Sequence, residues 1–211
     1  LSGCVATAMA QGMYYHQWPK AATTDIPAYT HTNYKTKETV EVQGMPATTF
    51  EWDQILPAYT DDSPGTDQQQ QAVAKLMRYC GQSVRMAYGN NSNTDIMYAV
   101  KALRDEFNYS KSVRAAFQYD YSLSGWRRLI WEELNHKRPV IMSGQTSMSS
   151  HAFVIDGYDG SGFFHVNWGW NGSGDNYFAI NVMHPKYPAH TTPLKEGYVK
   201  YQNILLGVEP S

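Results

Sequence analysis

Cysteine is scarce in this chain. Only Cys4 and Cys80 occur among 211 residues, too few for a disulfide framework, although a single Cys4–Cys80 bridge stays open. No Cys-x-x-Cys or His-Glu-x-x-His spacing occurs, so neither a metal nor an organic cofactor is expected. An excess of one charge is also missing. Lys and Arg number 17 against 19 Asp and Glu, with no basic run, which argues against a nucleic-acid partner gripped by clustered cations. Apolar runs such as "PVIM" and "ILLGV" fall far short of the roughly 20 residues that cross a bilayer as a helix, so no membrane span is expected. There is no internal repeat, and the only biased tract is "QQQQ".

What is present is aromatic: 16 Tyr, 6 Trp and 7 Phe, amid many Asn, Ser and Thr, a composition that leans toward an extracellular protein. The length suits one domain, or one with two lobes. The first part reads as helices. Residues 2–18 place Val5, Ala8, Met9, Gly12 and Met13 at helical spacing, with Ser2 as N-cap and the Trp18-Pro19 step as a stop. A second helix over 66–81 opens at Thr66 or Asp67 and closes at Gly81. Residues 93–107 and 123–138 read as a third and a fourth, and 23–50 as an irregular excursion with one short hairpin. From Pro139 the chain turns to short strands over 139–145, 151–157, 163–168, 176–182 and 197–208, divided by Gly, Ser, Asn and Pro clusters. Helices followed by strands predict an α+β chain with a mainly helical lobe, about 1–135, and a mainly β lobe, about 136–211.

The stretch "SHAFVIDGYDGSGFFHVNWGW", residues 150–170, concentrates the chemistry. A turn centred on Asp159 would set Ile155 opposite Phe163, Phe153 opposite His165 and His151 opposite Asn167. Opposed side chains lie about 4.5–5.5 Å apart at Cβ, within reach of an imidazole–carboxamide bond. Asn167 would then fix the tautomer of His151 and leave one ring nitrogen for a reacting partner, with Trp168 as a roof. A slip of one residue would turn Asn167 to the other face. The plainer alternative is a structural histidine among core tryptophans. His165 is expected beneath the same face, and His184 and His190 in an exposed Pro-rich loop.

A basic His151 needs a nucleophile. Cys4 falls in the first turn of its helix, where the partial positive charge and unbonded N–H groups favour a thiolate. Cys80 falls in the last turn of its own helix, where the partial charge is negative, and reads as a small core residue. Cys4 is therefore the better nucleophile, one whose own N–H points toward a developing oxyanion. A buried structural cysteine is the alternative.

Taken together, "GCVATAMAQ" around Cys4, "HAFVIDGYDG" from His151 and "HVNWGWNG" from His165 resemble the streptopain family of papain-like cysteine peptidases. The likeness extends through "NYKTKETVEVQGMPATTFEWDQILPAYT", "YCGQSVRMAYG" and "RPVIMSGQ". It implies a papain-like, two-lobed endopeptidase domain over 1–211, acting on proteins and peptides, secreted as a precursor and held inactive by its own propeptide. By position, Cys4 matches the nucleophile, His151 the general base and acid, Asn167 the orienting partner, Trp168 the shielding aromatic, and Ser150 a small residue that meets substrate backbone. The family favours a hydrophobic residue two positions before the cleaved bond.

Two departures accompany the likeness. The family completes its oxyanion hole with a glutamine upstream of the cysteine, and only Leu1, Ser2 and Gly3 precede Cys4. Gln11 lies about 10.5 Å further along the helix and cannot replace it, so a preceding segment is expected to exist. The loop "NNSNT" is also shorter than in streptopain. Two rival readings stay open: a Cys–His amidase or transglutaminase-like acyl transferase, and a carbohydrate-binding module stacking sugars on Trp168 and Trp170.

Overall fold

The structure, a computed structural model, describes residues 3–89, 94–193 and 196–211. The chain divides into two compact units, Leu1–Lys111 with Pro210–Ser211, and Ser112–Glu209.

The first unit is built on α1 (Cys4–His16), α2 (Asp67–Ser83) and α3 (Met97–Asp105), with a small antiparallel hairpin of β1 (Tyr29–Thr32) and β2 (Thr39–Val42). The small and apolar residues of α1 are its buried face: Val5, Ala6, Ala8, Met9, Ala10, Gly12 and Met13. They pack on α2, where the Cys80 thiol meets the Met13 sulfur at 3.6 Å. Thr66 caps α2 in a reciprocal box, its hydroxyl accepting from the Gln69 N–H while the Gln69 side chain accepts from the Thr66 N–H. Gly81 does not end this helix, which runs on to Ser83. Its missing side chain serves packing instead, since a Cβ there would collide with the Tyr88 hydroxyl. The residue at the N-cap of α1 is Gly3, at φ 86°, whereas the expected cap, Ser2, lies outside the described residues, as do Asn90–Asn93 of the "NNSNT" loop.

The second unit is a six-stranded antiparallel sheet backed by α4 (Leu123–Asn135). Its strands are β3 (Arg114–Phe117), β4 (Val140–Gln145), β5 (Ser150–Tyr158), β6 (Phe164–Asn167), β7 (Asn176–Phe178) and β8 (Lys200–Leu206), in the order β3-β8-β4-β5-β6-β7. Trp126 and Ile130 of α4 bury themselves among Met142, Phe153, Ile155, Val166, Trp168 and Ile204. That burial corrects the expected lobe boundary near 135. α4 belongs with the sheet because its apolar stripe is covered there, and the division falls at Lys111–Ser112. The edge strand β3 was not foreseen, and the strand expected over 176–182 shortens to Asn176–Phe178. Among the described residues no helix is long and apolar enough to cross a membrane.

Glu133 fastens α4 to the sheet. Its buried carboxylate accepts from Arg138 Nε at 2.6 Å and from the Gly207 N–H at 3.2 Å, and Arg138 also reaches Glu209 at 3.3 Å. Glu133→Gln keeps the shape but loses the charge-assisted bond. It is expected to destabilise the protein by about 2 kcal/mol, read as a lower urea midpoint at unchanged slope. An unchanged midpoint would show that the pair contributes nothing net.

Candidate active site

The first unit supplies Cys4. Gly3 at φ 86° sits in a region that L-residues with a Cβ avoid, and the turn it permits delivers Cys4 as the first helical residue. The turn is tied from within, since the Thr7 hydroxyl and N–H both donate to the Gly3 carbonyl, at 3.0 and 3.2 Å. First-turn N–H groups have no acceptor within their own helix and face outward with the positive end of the dipole. Cys4 is partly exposed, Cys80 is fully buried, and no disulfide joins them. Burial pushes the Cys80 thiol far up, so it stays protonated and inert.

The second unit supplies the histidine. His151, the second residue of β5, pairs with Gly144 of β4 and is 8% exposed. Its Nε2 lies 2.7 Å from the Trp168 carbonyl oxygen. A carbonyl can only accept, so Nε2 carries the proton and Nδ1 is the nitrogen left for chemistry. Trp170 stacks on the imidazole with centroids 4.7 Å apart and planes at 19°, and Tyr198 closes another side at 5.6 Å. Burial pushes the ring's titration below the ordinary histidine value, and the Trp168 carbonyl opposes this.

The expected hairpin register is corrected. The ladder sets Val154 opposite Asn167, Ile155 opposite Val166, Gly157 opposite His165 and Tyr158 opposite Phe164, with an irregularity between Ile155 and Gly157. His151 therefore does not stand opposite Asn167. Two local causes shift the pairing. The Asp159 carboxylate accepts from the N–H groups of Ser161 and Phe163, making a longer turn than one centred on Asp159, and the irregular step falls at Asp156. The Asp156 carboxylate lies 2.5 Å from His165 Nδ1, both side chains partly exposed, so His165 is hydrogen-bonded to Asp156 there rather than a support beneath the site.

Asn167 still acts close by. Its amide oxygen accepts from the Gly169 N–H at 2.9 Å, while the Trp168 N–H donates to Asp175 at 2.9 Å and the indole N–H to the Gly174 carbonyl at 3.0 Å. Together these fix the peptide whose carbonyl holds His151. Sequence reasoning missed this backbone acceptor and the nearness of Trp170, because neither leaves a trace at the level of residue type. Trp168 is fully buried and Trp170 covers the imidazole, so the two do not form the open platform a sugar-binding module requires. Ser150 opens β5 opposite Gln145, exposed. Among the described residues no group of His, Cys, Asp and Glu could hold a metal ion. In the loop after β7, His184 stacks edge-on against Tyr187 at 4.6 Å, and His190 is exposed.

Residues 1–178 match the peptidase C10 family. The chain is 35% identical to streptopain of Streptococcus pyogenes over 212 residues, covering 99% of itself and 52% of that protein. It is 33% identical to the thiol protease/hemagglutinin PrtT of Porphyromonas gingivalis, covering all of itself and 24% of that protein. The chain thus spans about half the length, or less, of these relatives. Among solved structures, active interpain A cysteine protease of Prevotella intermedia matches with a TM-score of 0.82 and 29% identity, over 99% of this chain and 83% of that one. A prointerpain A fragment matches with a TM-score of 0.78 and 28% identity, over all of this chain and 64% of that one.

Proposed function

Because the chain belongs to the peptidase C10 family, we propose that residues 1–211 form one catalytic domain of a cysteine endopeptidase in which Cys4 and His151 act as a pair. The α+β fold is the papain-like one of interpain A. The observation that carries the reading is the His151 Nε2–Trp168 carbonyl bond, which leaves Nδ1 as the proton carrier.

In the proposed cycle His151 Nδ1 holds the proton lost by the Cys4 thiol. The thiolate attacks the scissile carbonyl, forming a C–S bond while the C=O electrons move to oxygen. The Cys4 N–H at the helix start stabilises that oxyanion. The tetrahedral species collapses, the C–N bond breaks, and the amine leaves with the Nδ1 proton. Water then gives a proton back to Nδ1 and its oxygen to the acyl carbon, releasing acid and thiolate. In the proposed pair the Cys4 thiolate is what sustains the imidazolium, which burial disfavours. Asn167 and Trp168 serve by holding the carbonyl on His151, and Ser150 by meeting substrate backbone. The substrates are proteins and peptides with a hydrophobic residue two positions before the cut. Secretion as a precursor, with the propeptide as inhibitor, completes the proposal, and the solved pro-form fragment of interpain A supports it.

Iodoacetamide labelling across pH, with the modified cysteine mapped by mass spectrometry, tests the pair. Cys4 is expected to react rapidly near pH 6 and to slow at least about ten-fold in His151→Ala, with Cys80 silent. Labelling that rises only above about pH 8, as for an ordinary thiol, and is indifferent to His151→Ala would overturn it.

A further inference from the structure

A second site lies wholly within the first unit. Glu106 caps the C-terminus of α3 and is 7% exposed, and its Oε2 is buried with no hydrogen-bond partner. Buried carboxylate oxygens are nearly always partnered, so an orphaned one calls for a partner that the protein's own groups do not supply. Glu106 lines a cavity of about 290 Å³ together with Tyr29, Ser83, Arg85, Tyr98 and Lys101.

Two of those polar neighbours are already committed elsewhere. The Tyr29 hydroxyl donates to the Met86 carbonyl at 2.7 Å, and the Ser83 hydroxyl to the Cys80 carbonyl at 2.8 Å. Gln82, also in the lining, donates its side-chain N–H to the Gln43 carbonyl, and the charged groups that remain for a guest are the carboxyl of Glu106 and two cations. The Arg85 guanidinium lies 5.6 Å over the Tyr98 ring and is exposed, and Lys101 makes only a long, exposed contact of 3.7 Å with Asp105. We propose that this cavity binds a small zwitterion, a free α-amino acid or a dipeptide, with its ammonium on Glu106 and its carboxylate on Arg85 and Lys101.

Charge decides between ligand classes. A simple anion would satisfy the cations but press against Glu106, and a simple amine would reach Glu106 only past two like charges. A zwitterion satisfies all three. The volume is at the low end for ligand cavities, which suits a molecule of that size. Burial pushes the Glu106 carboxyl up to about 7, partly offset by Lys101 and reinforced by Asp105. An arriving ammonium favours the ionised form, so binding near neutrality releases a proton. The site itself stands apart from the peptidase reading. Only the corollary that hydrolysis products, which are zwitterions, are its natural occupants rests on that reading.

Calorimetric titration of the Cys4→Ala protein with alanylalanine at pH 7 tests it, because that host does not turn the probe over. Binding is expected to release up to about half a proton, seen as a dependence of the heat on the buffer's ionisation enthalpy. Glu106→Gln and, independently, the surface change Lys101→Ala are each expected to weaken binding at least about ten-fold, and N-acetyl and C-amide forms of the dipeptide to bind as weakly. No binding, equal binding of the blocked dipeptides, or affinity unchanged in both variants would each overturn the site. None of these outcomes touches the Cys4–His151 assignment, since Cys4 is absent throughout.

Discussion

Replacement of Cys4 by alanine is expected to lower hydrolysis of a denatured protein substrate by about 10⁴-fold or more while the chain stays folded. On the proposed mechanism the loss is large because Cys80, the other cysteine, is fully buried and held as a thiol and cannot form the acyl-enzyme in its place. The fold should survive because α1 is held by Val5, Ala8, Met9 and Met13, not by the partly exposed Cys4, and alanine is the best helix former. The measurement is kcat/KM on a fluorogenic protein substrate, beside far-ultraviolet circular dichroism and a urea midpoint. Activity within ten-fold of the native protein, with the fold intact, would remove Cys4 from the mechanism. The same variant leaves His151 without its proposed partner. Its ring should titrate by NMR below the ordinary histidine value, as burial dictates. Since the lowered value favours the neutral ring in the folded state, the variant should lose stability as pH falls below about 6.5 and be unaffected above it.

Trp168→Ala is expected to cost about 3–5 kcal/mol of stability and most of the activity together. The indole is fully buried, in ring contact with Phe153 at 4.7 Å and Phe178 at 5.3 Å, and stacked on Trp170 at 5.7 Å. Truncation leaves a cavity in the middle of the second unit's core, and the Gly174 carbonyl loses its donor. The alanine variant keeps the backbone carbonyl that holds His151 and its ties to Asn167 and Asp175, but loses the indole's packing and its bond to the Gly174 carbonyl, so the carbonyl is held less firmly. Trp168→Phe separates the two effects. Phenylalanine retains most of the bulk and gives up the indole N–H bond, a loss of about 1 kcal/mol, and should keep activity within roughly ten-fold because the carbonyl stays in place. Urea unfolding and peptidase assays on both variants check this. If Trp168→Ala unfolds at nearly the native midpoint, the packing account is wrong. If Trp168→Phe is stable yet inactive, the indole itself has a role that the carbonyl account omits.

The legible parts of this molecule were those written in local pattern. α1 could be read from its small residues at helical spacing, α2 from its opening at Thr66 or Asp67, α4 from its stop before Pro139, and the strands around His151 from the Gly, Ser, Asn and Pro clusters that divide them. β3 escaped because "RAAF" has no β-branched residue and becomes a strand only by pairing with β8. Gly81 was misread because a glycine near a helix end resembles a stop until Tyr88 is seen filling the space beside it.

Sequence by itself determined the chemistry on offer: a cysteine at a helix start, a histidine entering a strand, an Asn-Trp pair near it, and a family likeness covering most of the chain. Those are properties of residue type and order, and they need no knowledge of distance. Only the tertiary structure decided how the histidine is held. A five-residue turn and an irregular step at Asp156 moved Asn167 from opposite His151 to opposite Val154, and a main-chain carbonyl took the place expected of a side chain. Register depends on turn length and bulges, each worth a whole side-chain flip per residue. The unpartnered Oε2 of Glu106 was equally invisible beforehand, because being without a partner is a property of packing and not of sequence.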